Sequence, residues 1–279
     1  MKVSAKDVKK LRDLTGAGMM DCKKALVEAE GNIEAAVDIL RKKGQKIMGK
    51  RADRNATEGA VIALTNEEGN KGVVVHLSAE TDFVAKNVDF VALAKGIAAT
   101  AIKNFPATKE ELNELSHDGD TTVAKATLSM AGVIGEKIEV KKYQRLEAAQ
   151  VVAYIHAGNK VGVLIGIDKA SDELAVAGRN MAMQIAALSP IAVDKEDLDQ
   201  GEIDKEIALQ LDITRKEMPD KPEKMIENIV RGRVNKSFFK EKTLMNQPYV
   251  KDSKSTVKKY LASVDKGAKV TGFIRMNLA

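Results

Sequence analysis

The chain has 279 residues, 44% hydrophobic and 30% charged, with a formal net charge of +5; it is long enough for two or three compact units, each with its own core. With no tryptophan, 4% aromatics and one cysteine, Cys22, an internal disulfide and a cysteine-based zinc cluster are excluded, and Val, Ile, Leu, Ala and Met must build the cores. No apolar run of about 18 residues predicts a membrane span, and the charged start MKVSAKDVKKLRD lacks the apolar stretch of a signal peptide, so a soluble, cytoplasmic protein is expected.

From the N-terminus, the spacing predicts three short helices. Ser4 and Asp7 form a capping box ahead of Val8, Leu11 and Leu14, which fall on one face. A glycine-bearing turn, TGAGMM (Thr15 to Met20), leads to a second helix through Ala25, Leu26 and Ala29 that stops at Gly31. A third carries Ile33, Ala36, Val37 and Leu40 and stops at Gly44. The polar stretch 41–55 then serves as a linker. Residues 1–54 hold 14 lysines and arginines against 8 acids, a balance of +6, which leaves −1 for the rest. Such a head suits an acidic protein face or nucleic acid, although it lacks the aromatics that stack on bases.

The body contains a repeat. A stretch beginning at Glu68 (EGNKGVVVHLSAETDFVAKN) and one beginning at Ala157 (AGNKVGVLIGIDKASDEL) share a Gly-Asn-Lys turn, a Val-rich strand, a polar loop and a small-residue helix. Each follows a strand, Gly59–Thr65 and Ala148–His156, and Gly69 and Gly158 suit hairpin turns with positive φ. Two related α+β halves with antiparallel sheets are expected. The second copy has SDEL where the first has TDFVAKN, so the duplicated architecture has no need of Phe83 in its core. Beyond residue 195, the stripes Ile203, Ile207, Leu211 and Ile226, Ile229/Val230, Val234, separated by Pro219 and Pro222, predict an antiparallel helical hairpin. AKVTGFIRMNLA then predicts a closing strand. The resulting units are 1–54 (three-helix head and linker), 55–145 (first half), 146–194 with 239–279 (second half and last strand), and 195–238 (hairpin).

No catalytic constellation emerges. There is no G-x-x-x-x-G-K-[ST], G-x-S-x-G or H-E-x-x-H, and Gly16–Gly18 neither follows a strand nor completes a dinucleotide fingerprint. His76, His117 and His156 are far apart, and His76 and His156 lie in strands, where a hydrogen-bonded structural role is usual. Cys22 beside Lys23 and Lys24 is a small core residue of a short helix. Interaction signals remain: Met19 and Met20 at a turn, Phe83 in a loop, and the hairpin. An RNA-binding protein and an enzyme built on His76, His156 or Cys22 stay open on these residues. So does an adaptor carrying a ubiquitin-associated-like three-helix head.

Two stretches carry a closer resemblance. LRDLTGAGMMDCKKAL (Leu11 to Leu26) and AETDFVAKN (Ala79 to Asn87) are similar to the two signatures of the bacterial elongation factor Ts family, and the order of head, duplicated body, hairpin and last strand resembles that family throughout. The resemblance implies an N-terminal ubiquitin-associated-like domain, a duplicated α+β core and an inserted hairpin. It also implies a guanine-nucleotide exchange factor, without covalent chemistry, cofactor, metal or direct nucleotide binding. Its partner would be elongation factor Tu, with room for a dimer of the heterodimer. The implied contacts are Asp82 and Phe83, with Phe83 disturbing the GTPase's magnesium and phosphate site; Ile134 and Gly135; His156; Met19, Met20 and Lys23 of the head; and Val250. The chain departs from the family pattern at His76 and Ser78, where an acid and an asparagine are usual, at Lys251, where methionine is common, and at RMNLA, where a terminal helix is expected.

Overall fold

The computed structural model describes residues 3–278, so residues 1, 2 and 279 of the expected units lie outside the described residues. The chain opens with α1 (Ala5–Thr15), α2 (Met19–Glu28) and α3 (Ile33–Lys50). The capping box is present: the Asp7 amide donates to the Ser4 hydroxyl and the Ser4 amide to the Asp7 carboxylate. Val8, Leu11, Cys22, Ala25, Leu26 and Ala36 pack into one small core. Leu14 does not join them and is 63% exposed.

The helix expected to stop at Gly44 runs on to Lys50. Gly44 is a contact point rather than a cap. A Cβ there would come 2.1 Å from the Leu128 carbonyl oxygen, and Gly44 faces Gly132 on a later helix. Two glycines let the helix backbones touch, and a helix interior tolerates glycine where such packing offsets its propensity cost. Part of the expected linker is therefore helix. The rest is tied to the body by Lys137, which donates to the Ala52 carbonyl at 2.9 Å, and just past it Lys141 donates to that of Ala56 at 2.9 Å.

The body begins with β1 (Glu58–Thr65) and β2 (Lys71–Ala79), followed by α4 (Asp82–Ala85), α5 (Val88–Asn104), α6 (Lys109–Glu114), the small hairpin β3 (Ser116–Asp118) and β4 (Thr121–Thr122), α7 (Val123–Ile134) and β5 (Glu139–Glu147). The same plan then recurs with β6 (Gln150–His156), β7 (Val161–Ile167) and α8 (Asp172–Leu188). Next come α9 (Gln200–Glu217), α10 (Glu223–Arg233), a π-helical turn over Val234–Phe238, α11 (Phe239–Lys242), β8 (Pro248–Tyr249), β9 (Asp252–Thr256), α12 (Val257–Val264) and β10 (Val270–Asn277).

The sheets repeat as well. One has the order β1-β2-β5 and the other β10-β7-β6, with antiparallel neighbours throughout. Each half is a hairpin, a helix and a later strand that returns beside the second. Gly69 (φ 68°) and Gly158 (φ 71°) make the tight turns. Alternate residues of β2 face opposite ways: Val73, Val75 and Leu77 pack under α5, while Val74 faces the other sheet with Val61, Val151 and Leu164. The sheets meet so closely that a Cβ on Gly72 would lie 2.7 Å from Val151, and one on Gly162 2.8 Å from Val61. Buried on both faces, β2 reads as the near-continuous apolar run that such strands require. The architecture is α+β: a helical head, then helix, sheet, sheet and helix layers.

The expected helical hairpin is α9 and α10. Ile203, Ile207 and Leu211 of α9 lie against Ile226 and Val230 of α10. Arg215 pairs with Glu223 across the tip, and Arg233 holds Glu217 at 2.7 Å and Thr214 at 3.1 Å.

Candidate partner-binding surface

The stretch Glu80–Asn87 lies between two helix starts. Thr81 caps α4 by accepting the Val84 amide at 3.4 Å, and Asn87 caps α5 by accepting the amides of Asp89 at 2.9 Å and Phe90 at 3.2 Å. Two caps so close together fix the direction of every side chain between them. Val84 turns into the core and Phe83 turns out, leaving Phe83 83% exposed and Val88 81%. Single exposed apolar residues are ordinary; what sets these two apart is that each stands at a helix start fixed by a side-chain cap.

Asp82 binds Lys86 at 2.6 Å. That hydrogen bond, with the lysine's charge, holds the Asp82 carboxyl below its ordinary range, and Lys160 of the β6–β7 turn adds to the effect. His156 ends β6 just before that turn and is exposed, with Nδ1 3.0 Å from the Tyr154 hydroxyl. The neighbouring turn thus reaches the vicinity of α4.

Ile134 ends α7, and Gly135 closes it in the left-handed region (φ 85°), donating to the Ala131 carbonyl at 2.8 Å. The next two residues bind this turn to the Phe83 segment. Glu136 Oε2 accepts the Glu80 amide at 3.0 Å and the Thr81 amide at 3.1 Å, and its Oε1 accepts the Thr81 hydroxyl at 2.7 Å. In return Glu80 Oε1 accepts the Lys137 amide at 2.7 Å, and Arg51 Nη1 donates to Glu80 Oε2 at 2.6 Å. Burial pushes the Glu80 carboxyl upward, but the Lys137 amide and Arg51 outweigh it and hold the group below its usual range. Asp82 and Phe83 are therefore brought together with Ile134 and Gly135. The sequence reading missed Arg51, Glu80 and Glu136; the signal available was an acid directly after the GVIG turn and another directly before TDF.

The remaining expected residues come from other elements. Met19, Met20 and Lys23 are exposed at the start of α2, and Leu14 and Val27 add exposed apolar surface to the head. Val133 of α7, next to Ile134, packs into the head's core. Val250 is exposed in the β8–β9 turn, where its amide donates to Gln184 Oε1 at 2.9 Å. Gln184 is buried and also donates to Gln247 at 3.0 Å and to the Pro248 carbonyl at 2.9 Å. His76 is buried, as a strand histidine should be, yet neither ring nitrogen has a hydrogen-bond partner. Among the described residues no group of three or more His, Cys, Asp or Glu could hold a metal, and no helix is long and apolar enough to cross a membrane.

A family model described as elongation factor TS matches residues 80–279. Proteins named elongation factor Ts from Christiangramia forsetii and Amoebophilus asiaticus are each 48% identical over 277 residues, covering 99% of this chain and 99% of their own length. One from Porphyromonas gingivalis is 42% identical over 278 residues. A capped, outward-facing apolar surface on a duplicated α+β body thus belongs to a translation elongation factor. The chain is a member of the elongation factor Ts family.

Proposed function

We propose that this chain is a guanine-nucleotide exchange factor for elongation factor Tu, working in the cytoplasm without covalent chemistry. The observation that carries the reading is Phe83, 83% exposed on a four-residue helix fixed at both ends. Phe83 acts as a wedge, with Asp82, Ile134, Gly135 and His156 around it, while Met19, Met20 and Lys23 of the head and Val250 of the second half hold the GTPase elsewhere. Magnesium demands near-ideal octahedral geometry, so a small displacement of its supporting residues in the GTPase weakens GDP strongly. Reciprocity follows: a factor that weakens GDP is itself weakened by nucleotide in the same ratio, so incoming nucleotide expels it. The working units are the head (1–54), the two halves (55–145, and 146–194 with 239–279) and the hairpin (195–238).

The test is release of a fluorescent GDP analogue from elongation factor Tu, with and without the chain. Acceleration is expected, and Phe83→Ala should lower the maximal rate by about tenfold or more while binding of the GTPase weakens much less. Unchanged exchange by a folded Phe83→Ala variant would refute the wedge.

A further inference from the structure

The β2–β5 ladder ends at the pair Ser78 and Glu139, and beyond it the two chains carry Phe83 on one side and Ile134–Gly135 on the other. A four-residue helix has no stability of its own, and past the end of β2 the Glu80 and Thr81 amides have no strand partner. Side chains take over where the backbone ladder stops. Glu136 receives both amides and the Thr81 hydroxyl, Glu80 receives the Lys137 amide, and Arg51, just past the end of α3, closes the group on Glu80. The bonds run in both directions between segments 80–81 and 136–137, so neither segment can turn without the other.

We propose that Glu136 is a positioning residue for the exchange surface, locking the Phe83 helix to the Ile134–Gly135 turn as one rigid unit. The proposal rests on the exchange reading above and adds a residue that does not itself touch the GTPase. An aromatic that must displace structure in a partner works only if its own support does not yield. A support that orders only on contact spends the binding interaction on ordering itself. Glu136 fits the role by its place as well as its bonds: it follows Gly135 directly and holds the cap residue of the helix that bears Phe83.

The experiment measures GDP release from elongation factor Tu by stopped flow across a range of factor concentrations, for the wild type, Glu136→Ala, Glu136→Gln, Phe83→Ala and the Phe83→Ala/Glu136→Ala double variant. Glu136→Ala should lower the maximal rate at saturating factor by about tenfold. Mere loss of folded protein would move the half-saturating concentration and leave the maximum intact. Glu136→Gln should return to within about twofold of the wild type, because its amide oxygen still accepts both backbone amides. The double variant should be no slower than Phe83→Ala alone, as expected for residues acting through one device. A wild-type maximum for Glu136→Ala, or a full further loss in the double variant, would overturn the proposal while leaving the exchange reading standing. Failure of the wild type to accelerate release would sink both. Should Glu136→Ala melt too low to assay, Glu136→Asp takes its place. It draws the carboxylate back by one methylene from the Glu80 and Thr81 amides and leaves the Thr81 cap of α4 in place, with about a threefold loss expected that disappears in the Phe83→Ala background; persistence of that loss would overturn the proposal.

Discussion

His76 stands at a position where the resemblance leads one to expect an acid, and its surroundings explain why the change has a consequence for stability. It lies on the same face of β2 as Val74, fully buried, with no hydrogen-bond partner for either ring nitrogen. Gly59 gives it room, since a Cβ there would lie 3.1 Å from Nε2. Burial chiefly, and then the charges of Lys141 and Lys142, push its pKa down to about 4. The unfolded chain therefore binds a proton near pH 6.5 that the folded chain refuses until about pH 4. Stability is at its full value above about pH 6.5, declines as pH falls through that window and levels off below it. The loss amounts to about 3 kcal/mol from this residue, and His117, also held low by burial, adds in the same direction. Urea melts of His76→Leu should show stability at pH 7 equal to or above the wild type, because an unpartnered polar ring is replaced by an apolar one. They should also show a clearly shallower decline toward pH 4.5. Parallel declines for the two proteins would show that His76 is protonated without penalty.

At the level of elements, α3 carries two glycines with opposite meanings. Gly44 sits in the crossing with α7, where an added Cβ meets the Leu128 backbone, whereas Gly49 has open space around it. Gly44→Ala should therefore cost about 2 kcal/mol or more by forcing the helices apart. Gly49→Ala should stabilise by about 0.5 kcal/mol through helix propensity. Thermal melts of the two variants check this directly, and a shared sign would refute the packing account. The same pair shows what the sequence can carry. Periodicity revealed α1, α2, both body hairpins and α9–α10, because each buries one regular stripe. It misplaced the end of α3, since a glycine that ends a helix and one that admits a neighbouring backbone look alike until the neighbour is known. It also passed over β5, whose EVKKYQRLE is mostly polar: β5 is an edge strand with one face in solvent, burying Val140 and half-burying Tyr143, a pattern that polar flanks disguise.

Across the whole molecule, Met19, Met20, Phe83 and Val250 among the residues implied by the family resemblance are exposed apolar side chains, while the bonds around those segments from Glu136 and Gln184, and from Glu80 to Lys137, join residues 55 or more apart in sequence and leave no local pattern. That long-range construction bears on how the head and the hairpin can be tested. Removing residues 1–54 would strip α3 from α7 and Arg51 from Glu80, so a loss of activity would mix docking with support. Met19→Ala/Met20→Ala keeps α3 intact, and calorimetry should show about tenfold weaker binding to elongation factor Tu with an unchanged maximal exchange rate. Unaltered affinity would remove the head from the interface. The hairpin, by contrast, can be cut cleanly. Its base is closed by hydrogen bonds from the Ile191 amide to the Lys242 carbonyl at 2.8 Å, the Leu244 amide to the Ala192 carbonyl at 2.9 Å and the Met245 amide to the Val193 carbonyl at 2.9 Å, with Asn246 holding Asp194 at 2.6 Å. The two ends are therefore already side by side, and a short glycine-serine link in place of residues 196–239 need span little distance. The apolar cluster lost with it, Ile226, Val230, Val234 and Phe238 packed on Ile203, Ile207 and Leu211, is largely the hairpin's own, with Ala192 the buried member left behind. The sheet β10-β7-β6 keeps all its strands. The shortened protein should melt close to the wild type and stimulate GDP release within about threefold of it, because Phe83, Ile134 and Glu136 belong to the other half. A folded variant with no exchange activity would mean that the hairpin itself acts on the GTPase.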